Sequence, residues 1–311
     1  MDELRFDGRV VAITGAHHGL GREHALLLAR RGARIVVNDL QGADETVAMI
    51  RDVGSEAVAN TSDITTGAGT DQIVRDALDA WGRLDVIVNN AASGSGTVPD
   101  EDMVRHTLGV HFVGTVNLVR SALPVFREQR YGRIVNTGSG SVLGIPHTGI
   151  YAAGKGAVMA FSKVLANELR QEPDLDVTVN VIMPVAQTPI MPRVPDAEFQ
   201  ALLDTAFAPE NTSPLVAVFA HESCPVSGEL VQTGGGRVAR FVFATTEGWQ
   251  APDDQPTPEA ILDHWDDVMA NRDLQEPVGS MMDVFQRRGM YPYGVADIVQ
   301  WARTGQDPAR R

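Results

Sequence analysis

The stretch Val10-Val11-Ala12-Ile13-Thr14-Gly15-Ala16-His17-His18-Gly19-Leu20-Gly21 decides how the chain begins to fold. Its apolar run, Val10 to Ile13, reads as a strand buried on both faces, and glycines at 15, 19 and 21 break it off. The segment that follows, REHALLLARRG from Arg22, has apolar residues at helical spacing, and Arg34 to Asn38 is a second strand that ends in Asp39. Strand, glycine turn, helix and strand make the first βαβ unit. Free amides at the helix start, with no Cβ in the way, let an anion such as a pyrophosphate approach the turn. Asp39 follows Gly21 by 18 positions, close to where a carboxylate accepts hydrogen bonds from an adenosine ribose.

Outward from this unit, strand-like runs recur at Glu56 to Ala59, Asp85 to Asn89, Arg133 to Asn136, Val177 to Ile182 and Glu229 to Thr233. Helical stretches at 70–81, 101–129, 151–170, 197–207 and 214–221 separate them. The alternation predicts an α/β domain over residues 1–244: a doubly wound, seven-stranded parallel Rossmann-type sheet with helices on both faces. Residues 245–311 are expected to form a helical extension packed on the domain or on a partner subunit. Thr257-Pro258-Glu259 is a helix start there, and Val295, Ile298, Val299 and Ala302 suggest a further amphipathic helix before a frayed QDPARR end.

In a parallel sheet the ligand crevice lies beyond the carboxyl ends of the strands, which gives each strand end a meaning. Asp63 trails the third strand within reach of an adenine amine, and Asn89-Asn90-Ala91-Ala92 ends the fourth with small residues that permit close approach. Thr137-Gly138-Ser139-Gly140-Ser141 ends the fifth with hydroxyls. Pro184 stops the sixth, and Thr188 either bonds a nicotinamide carboxamide or caps a turn. Proline-spotted residues from Pro189 to Pro214 read as a mobile flap. Past the fifth strand, Tyr151-Ala152-Ala153-Gly154-Lys155 opens a long apolar-periodic helix, and residues four apart share a face. A phenol ordinarily loses its proton near pH 10, so Lys155 is the expected cation favouring the Tyr151 phenolate.

Composition narrows the partners. A net charge of −14 over 311 residues disfavours nucleic acid and anionic membranes, both of which need basic patches. Cys224 is the lone cysteine, so no internal disulfide is expected. The charged start MDELRFDGRVV has no signal-like apolar region, and no uninterrupted apolar run approaches spanning length. A soluble, cytoplasmic protein is the expectation. No metal is expected, because the histidines are scattered and His106 and His111 are five positions apart, one more than a helical ligand pair requires.

Taken in order, TGAHHGLG, NDL, the SD ending at Asp63, NNAA, GSGS, YAAGK and the proline after the sixth strand resemble the short-chain dehydrogenase/reductase family. The resemblance implies a hydride-transfer enzyme with a nicotinamide cofactor, usually a homodimer or homotetramer. It implies Ser139, Tyr151 and Lys155 as catalytic, with Ser141 the alternative serine. It also implies a cofactor lining of Gly15, His17, His18, Gly19, Leu20, Asp39, Leu40, Asp63, Ile64, Asn90, Ala91, Ala92, Tyr151, Lys155, Pro184 and Thr188. Asp39 implies NAD over NADP, since a carboxylate repels a 2′-phosphate. REHALLLARRGARIVVNDL, DALDAWGRLDVIVNNAA, HESC at 221–224, GGGRVAR with Gly248-Trp249, and TPEA with His264-Trp265 are similar to the (3R)-hydroxyacyl-CoA dehydrogenase part of peroxisomal multifunctional proteins. Bacterial relatives of that group include enzymes acting on steroids and steroid-derived acyl-CoA thioesters.

Departures mark what cannot be copied from relatives. His111 fills the slot where the wider family places an asparagine that holds a water for the lysine, so it is read either as a proton-relay member or as a core histidine. Ala92 and Val185 replace frequent glycines, and the serine lies one residue nearer Tyr151 than usual. Arg193, Arg237 and Arg240 are candidate phosphate contacts or ordinary surface charges. A nucleophile elbow is absent, because Gly138-Ser139-Gly140 puts glycine too close to the serine. Two functions remain: an NAD-dependent dehydrogenase of 3-hydroxyacyl-CoA or hydroxysteroids, and a catalytically idle dinucleotide-binding subunit.

Overall fold

The computed structural model describes residues 3–94, 100–187, 196–252, 255–270 and 274. Strand β1 (Val10–Thr14) is buried along its whole length, and its side chains alternate between two apolar layers. Val11 and Ile13 face a core shared with helices α1 (Gly19–Arg30) and α2 (Ala43–Asp52), whereas Val10 and Ala12 face a core on the other side of the sheet. Strands β2 (Arg34–Asn38) and β4 (Val86–Asn89) flank β1 in parallel register, with Val11 opposite both Ile35 and Val86.

Beyond them run β3 (Ala57–Asn60), β5 (Tyr131–Thr137), β6 (Asp176–Pro184) and β7 (Leu230–Gly234), giving the order β3-β2-β1-β4-β5-β6-β7. The order reverses between β1 and β4, the switch point at which doubly wound sheets bind ligands. Helix α3 (Gly67–Trp81) and the long helices after β4 and β5 cover one face. Helices α1 and α2 cover the other, with a later apolar helix, Ser213–Ala220, called α8 below.

The sheet has an eighth strand that the periodicity argument missed. Strand β8 (Arg237–Phe241) pairs antiparallel with β7, with Gly234 opposite Arg237. Gly235 and Gly236 form the two-residue loop with φ of 57° and 74°, the left-handed geometry that two-residue hairpins require. The doubly wound parallel sheet of the sequence reading therefore holds for the first seven strands and ends in a hairpin.

A second difference lies in the helical run at 101–129. Helix α4 (Glu101–Leu108) and helix α5 (Gly114–Gln129) are joined by a π-helical turn, Gly109–Val113. This run meets the length and hydropathy test of a membrane span, but Leu118, Val119, Ala122 and Phe126 are buried against the sheet. Helix α6 (Gly149–Leu169) carries Tyr151 near its start. Helix α7 (Ala197–Ala206) lies within the expected flap and precedes α8.

At the amino ends of the strands, far along β1 and β5 from the glycine turn, buried Asp85 accepts from Arg9 Nη1 (2.9 Å), Arg83 Nε (2.8 Å) and the Val10 amide (2.9 Å). Tyr131 is sandwiched between the guanidiniums of Arg9 and Arg133, at 4.2 and 4.3 Å. Arg133 is buried and spends its donors on Asp176 Oδ2 (2.9 Å) and on the carbonyls of Gly132, Asp176, His221 and Glu222. This network fixes the closed end of the sheet, opposite the crevice.

The chain divides into two compact units, Met1–Phe241 and Val242–Arg311. In the second, Thr257 Oγ1 accepts from the Ala260 amide (3.2 Å) and starts α9 (Pro258–Asp263), as the Thr-Pro-Glu signal predicts. A short helix α10 (Trp265–Met269) follows, and Trp249 stacks on His264 with ring centres 4.6 Å apart. The expected helix around 295–302 lies outside the described residues.

Candidate active site

The glycine turn is built for close approach. Gly15 has φ +64°, and a Cβ there would lie 2.7 Å from Ala91 Cα; at Gly21 it would lie 2.2 Å from the Gly15 carbonyl. The turn is tied to the end of β4: Thr14 Oγ1 accepts from the amides of Asn90 and Ala91, both at 3.1 Å. Asn90, a candidate cofactor residue, donates its side-chain amide to the carbonyls of Thr14 and Gly15, each at 3.0 Å. It acts as the brace of the turn. Thr14 is the residue that reasoning from glycines overlooked, and its signal was its place as the last polar residue of a buried strand.

Asp39 stands at the end of β2, partly exposed, where its Oδ2 accepts from the His17 amide at 3.1 Å. Its Oδ1 has no hydrogen-bond partner among the described residues. Leu40 beside it is exposed, His17 is partly exposed and His18 is exposed next to the α1 start, with Gly19 and Leu20 opening that helix. Asp63 uses its Oδ1 to accept from the Thr65 amide (2.8 Å) and so caps its own turn. Ile64 is buried in the core against Gly114, which turns its side chain inward. A Cβ-free cradle at the start of α1 and a carboxylate with an available oxygen fit a dinucleotide's pyrophosphate and ribose.

The reacting end forms beside β5. Ser139 is extended, and its Oγ accepts from the Ser141 amide (3.2 Å), capping a short 3₁₀ turn, Gly140–Leu143. Its hydroxyl stands near enough to the Tyr151 phenol to oppose, in part, the rise that burial imposes on the phenol's pKa. Ser141 is turned inward, with a buried Oγ that has no partner among the described residues, so Ser139 is the serine that the fold places beside the phenol. Lys155, 2% exposed, donates to the Thr137 carbonyl (2.9 Å) and lies 5.9 Å from the centre of the Tyr151 ring. Burial lowers its pKa to about 8, so the ammonium persists at neutral pH.

The expected depression of the phenol's pKa by Lys155 is not what this geometry gives. Burial of Tyr151 dominates and holds the phenol above its ordinary value, and the nearby Ser139 hydroxyl opposes this only in part.

His111 sits in the π-helical turn, edge-on to Tyr151, with ring centres 4.9 Å apart at 88°. Its Nε2 faces the Ser93 amide (2.9 Å) and carbonyl (3.0 Å), and Nδ1 is buried on the side of the ring that faces α6. Burial, and then the Lys155 charge, lower its pKa to about 3, so it is a neutral imidazole. Gly154 makes the approach possible, because a Cβ there would lie 3.0 Å from His111 Cβ. The imidazole thus ties the loop after β4 to the first turn of α6.

Pro184 ends β6 opposite Thr233, and the Val185 amide continues the ladder to the Thr233 carbonyl (2.8 Å). Thr188 and Arg193 lie outside the described residues. Arg240 pairs with Glu229 (2.6 Å), and Arg237 reaches Gln232 Oε1 at 3.5 Å.

A family model described as short chain dehydrogenase matches residues 9–197. The peroxisomal multifunctional enzyme type 2 of Mus musculus is 36% identical over 309 residues, covering 91% of this chain and 40% of that protein. A short chain dehydrogenase from Mycobacterium avium superposes with a TM-score of 0.74 at 29% identity, covering 88% of this chain and 99% of that one. The full-length peroxisomal multifunctional enzyme type 2 of Drosophila melanogaster superposes with a TM-score of 0.75 at 30% identity, covering 92% of this chain and 49% of that one. The chain therefore spans less than half the length of these multifunctional relatives.

Proposed function

The chain belongs to the short chain dehydrogenase family, and we propose that it interconverts the secondary alcohol and ketone of a 3-hydroxyacyl-CoA thioester, with NAD as its coenzyme. It is an oxidoreductase acting on CH–OH donors, and the family uses a nicotinamide dinucleotide. The observation that carries the chemistry is the grouping of the Ser139 hydroxyl, which caps the turn after β5, with Tyr151 and buried Lys155 on α6, the ammonium held on the Thr137 carbonyl at the end of β5.

Each residue's part follows from its partners. Ser139 Oγ accepts from the Ser141 amide, which leaves its own proton to donate toward the substrate oxygen. Tyr151 exchanges the proton of the reacting hydroxyl, as acid toward a ketone and as base toward an alcohol. The Lys155 ammonium has three donors and spends one on Thr137, so two remain for the hydroxyls of a nicotinamide ribose. The nicotinamide, when bound, carries the hydride. Asp39 Oδ1 would take the adenosine ribose, which favours NAD over NADP.

Two observations support the substrate class. Likeness to the multifunctional enzymes runs along 91% of the chain, well past the dinucleotide-binding motifs. Leu143 and Ile145, on the loop between Ser139 and Tyr151, are 73% and 56% exposed, and Val185 is exposed after Pro184. Apolar side chains at that position suit a substrate with an apolar body. Val113 and Val164, exposed on neighbouring helical segments, support a homodimer or homotetramer, and the lone Cys224 is in keeping with a cytoplasmic setting.

The test is NADH formation by the 311-residue chain on 3-hydroxyacyl-CoA thioesters of several lengths and on steroid alcohols. Turnover on thioesters supports the reading. Turnover confined to steroid alcohols overturns the substrate, and no turnover on either, with NADH still bound, supports the idle subunit.

A further inference from the structure

His17 makes contacts that the proposed chemistry does not use. Its ring Nδ1 is 2.9 Å from the Gly42 carbonyl, an acceptor only, so Nδ1 carries the proton and donates. The ring fills the space where residue 42 would carry a side chain: a Cβ on Gly42 would lie 2.2 Å from His17 Cε1 and Nδ1. Gly42 itself has φ +69° and caps the start of α2. The main chain of His17 is held as firmly. Its carbonyl accepts from Arg22 Nε (2.6 Å) and Thr46 Oγ1 (3.1 Å), and Thr46 is buried.

The imidazole thus fastens the glycine turn after β1 to the turn after β2, and Asp39 lies in the second of these. The His17 amide grips Asp39 Oδ2 at 3.1 Å from the same anchored peptide. A coenzyme bearing a 2′-phosphate would need Asp39 to rotate away, which breaks that bond. The wedged ring raises the cost of the rotation, because the peptide that holds the carboxylate cannot follow it.

From this arrangement we infer that His17 is a positioning residue for coenzyme choice, holding Asp39 with one oxygen toward the ribose and closed to a 2′-phosphate. The inference rests on the reading of Asp39 as the ribose-facing carboxylate. It differs from that reading in assigning part of the selectivity to an imidazole that acts through another residue.

The experiment measures dissociation constants of NADH and NADPH by nicotinamide fluorescence, with the full chain as wild type, His17→Ala, His17→Asn, Gly42→Ala and Asp39→Ala. His17→Ala should narrow the NADPH/NADH ratio by about three- to tenfold, the scale of one lost hydrogen-bond constraint. His17→Asn, whose amide can still donate to the Gly42 carbonyl, should recover most of it. Gly42→Ala, which evicts the ring from the opposite side, should copy His17→Ala and stands in for it if that variant does not fold. A general loosening of the turn would weaken both coenzymes together and leave the ratio unchanged, which overturns the inference. Asp39→Ala separates the two claims. If it narrows the ratio and the His17 and Gly42 variants do not, the clamp is wrong and the carboxylate's role stands. If Asp39→Ala leaves the ratio alone, the reading of Asp39 falls and the inference falls with it.

Discussion

Acid should unfold this protein earlier than its carboxylates alone would require, because two imidazoles are buried uncharged. His24, on α1, is fully buried with Nδ1 2.8 Å from Ser213 Oγ on α8, and its Nε2 has no partner among the described residues. A protonated ring would carry two N–H donors with one acceptor to meet them, and burial accordingly lowers its pKa to about 3. His111 is lowered to about 3 as well. In the unfolded chain both titrate near 6.5. As pH falls below about 6.5 the unfolded chain takes up protons that the folded chain refuses, so stability drops by about 1.4 kcal/mol per pH unit for each histidine. The loss saturates only below the folded value of about 3.

At pH 5 the two together should therefore cost about 4 kcal/mol, a large share of the 5–15 kcal/mol, roughly, that such domains possess. The assay is urea unfolding of wild type and His24→Asn between pH 5 and 7.5. Asparagine keeps a donor or acceptor for Ser213 and removes the titration. The variant should be less stable near pH 7.5, yet below pH 6.5 its stability should fall less steeply than wild type, by about 1.4 kcal/mol per pH unit. Contributions from other groups are shared and cancel in the difference. Equal slopes for the two proteins would refute the account of His24.

Three further outcomes are expected. Tyr151→Phe should lower turnover by about 10²- to 10⁴-fold while NADH binding, read by fluorescence, persists. Because burial raises the Tyr151 pKa, alcohol oxidation, which needs the phenolate, should keep rising with pH through the neutral range up to the Lys155 pKa of about 8, whereas ketone reduction should stay level there; a plateau in oxidation below neutral pH would contradict this. Arg133→Met, which removes the guanidinium's hydrogen bonds to the carbonyls of Gly132, Asp176, His221 and Glu222, should lower stability in urea unfolding by about 1–3 kcal/mol and leave coenzyme binding intact in the folded fraction.

The parallel sheet was legible because buried central strands read as near-continuous apolar runs, as in β1, β2 and β4, and because strand-like and helical stretches alternate along the chain. Strand β8 was not, since Arg237, Ala239 and Arg240 lack the signature of a buried strand; the paired glycines at 235 and 236 were the signal to use. Position along the chain also located Ser139, Tyr151 and Lys155, because strand ends and a helical face convert spacing into direction. Direction at finer scale was not available. Nothing in NNAA says that the Asn90 amide turns back to the glycine turn, and nothing in YAAGK says that Lys155 leans on Thr137. The partnership of His24 with Ser213 spans 189 positions and has no local sequence trace.

The wide turn at Gly109–Val113 has a mechanical corollary. Every residue of an α-helix advances the azimuth by about 100°, so one surplus residue absorbed in a single loop of the coil lets the segments on either side be set independently. Glu101–Leu108 can follow the mouth of the crevice while Gly114–Gln129 keeps its seat on the sheet. Deleting one residue there should restore an uninterrupted coil of ordinary pitch and swing the upstream half through roughly a quarter of a revolution. The protein would still be helical, and the imidazole that now abuts the phenol would point elsewhere.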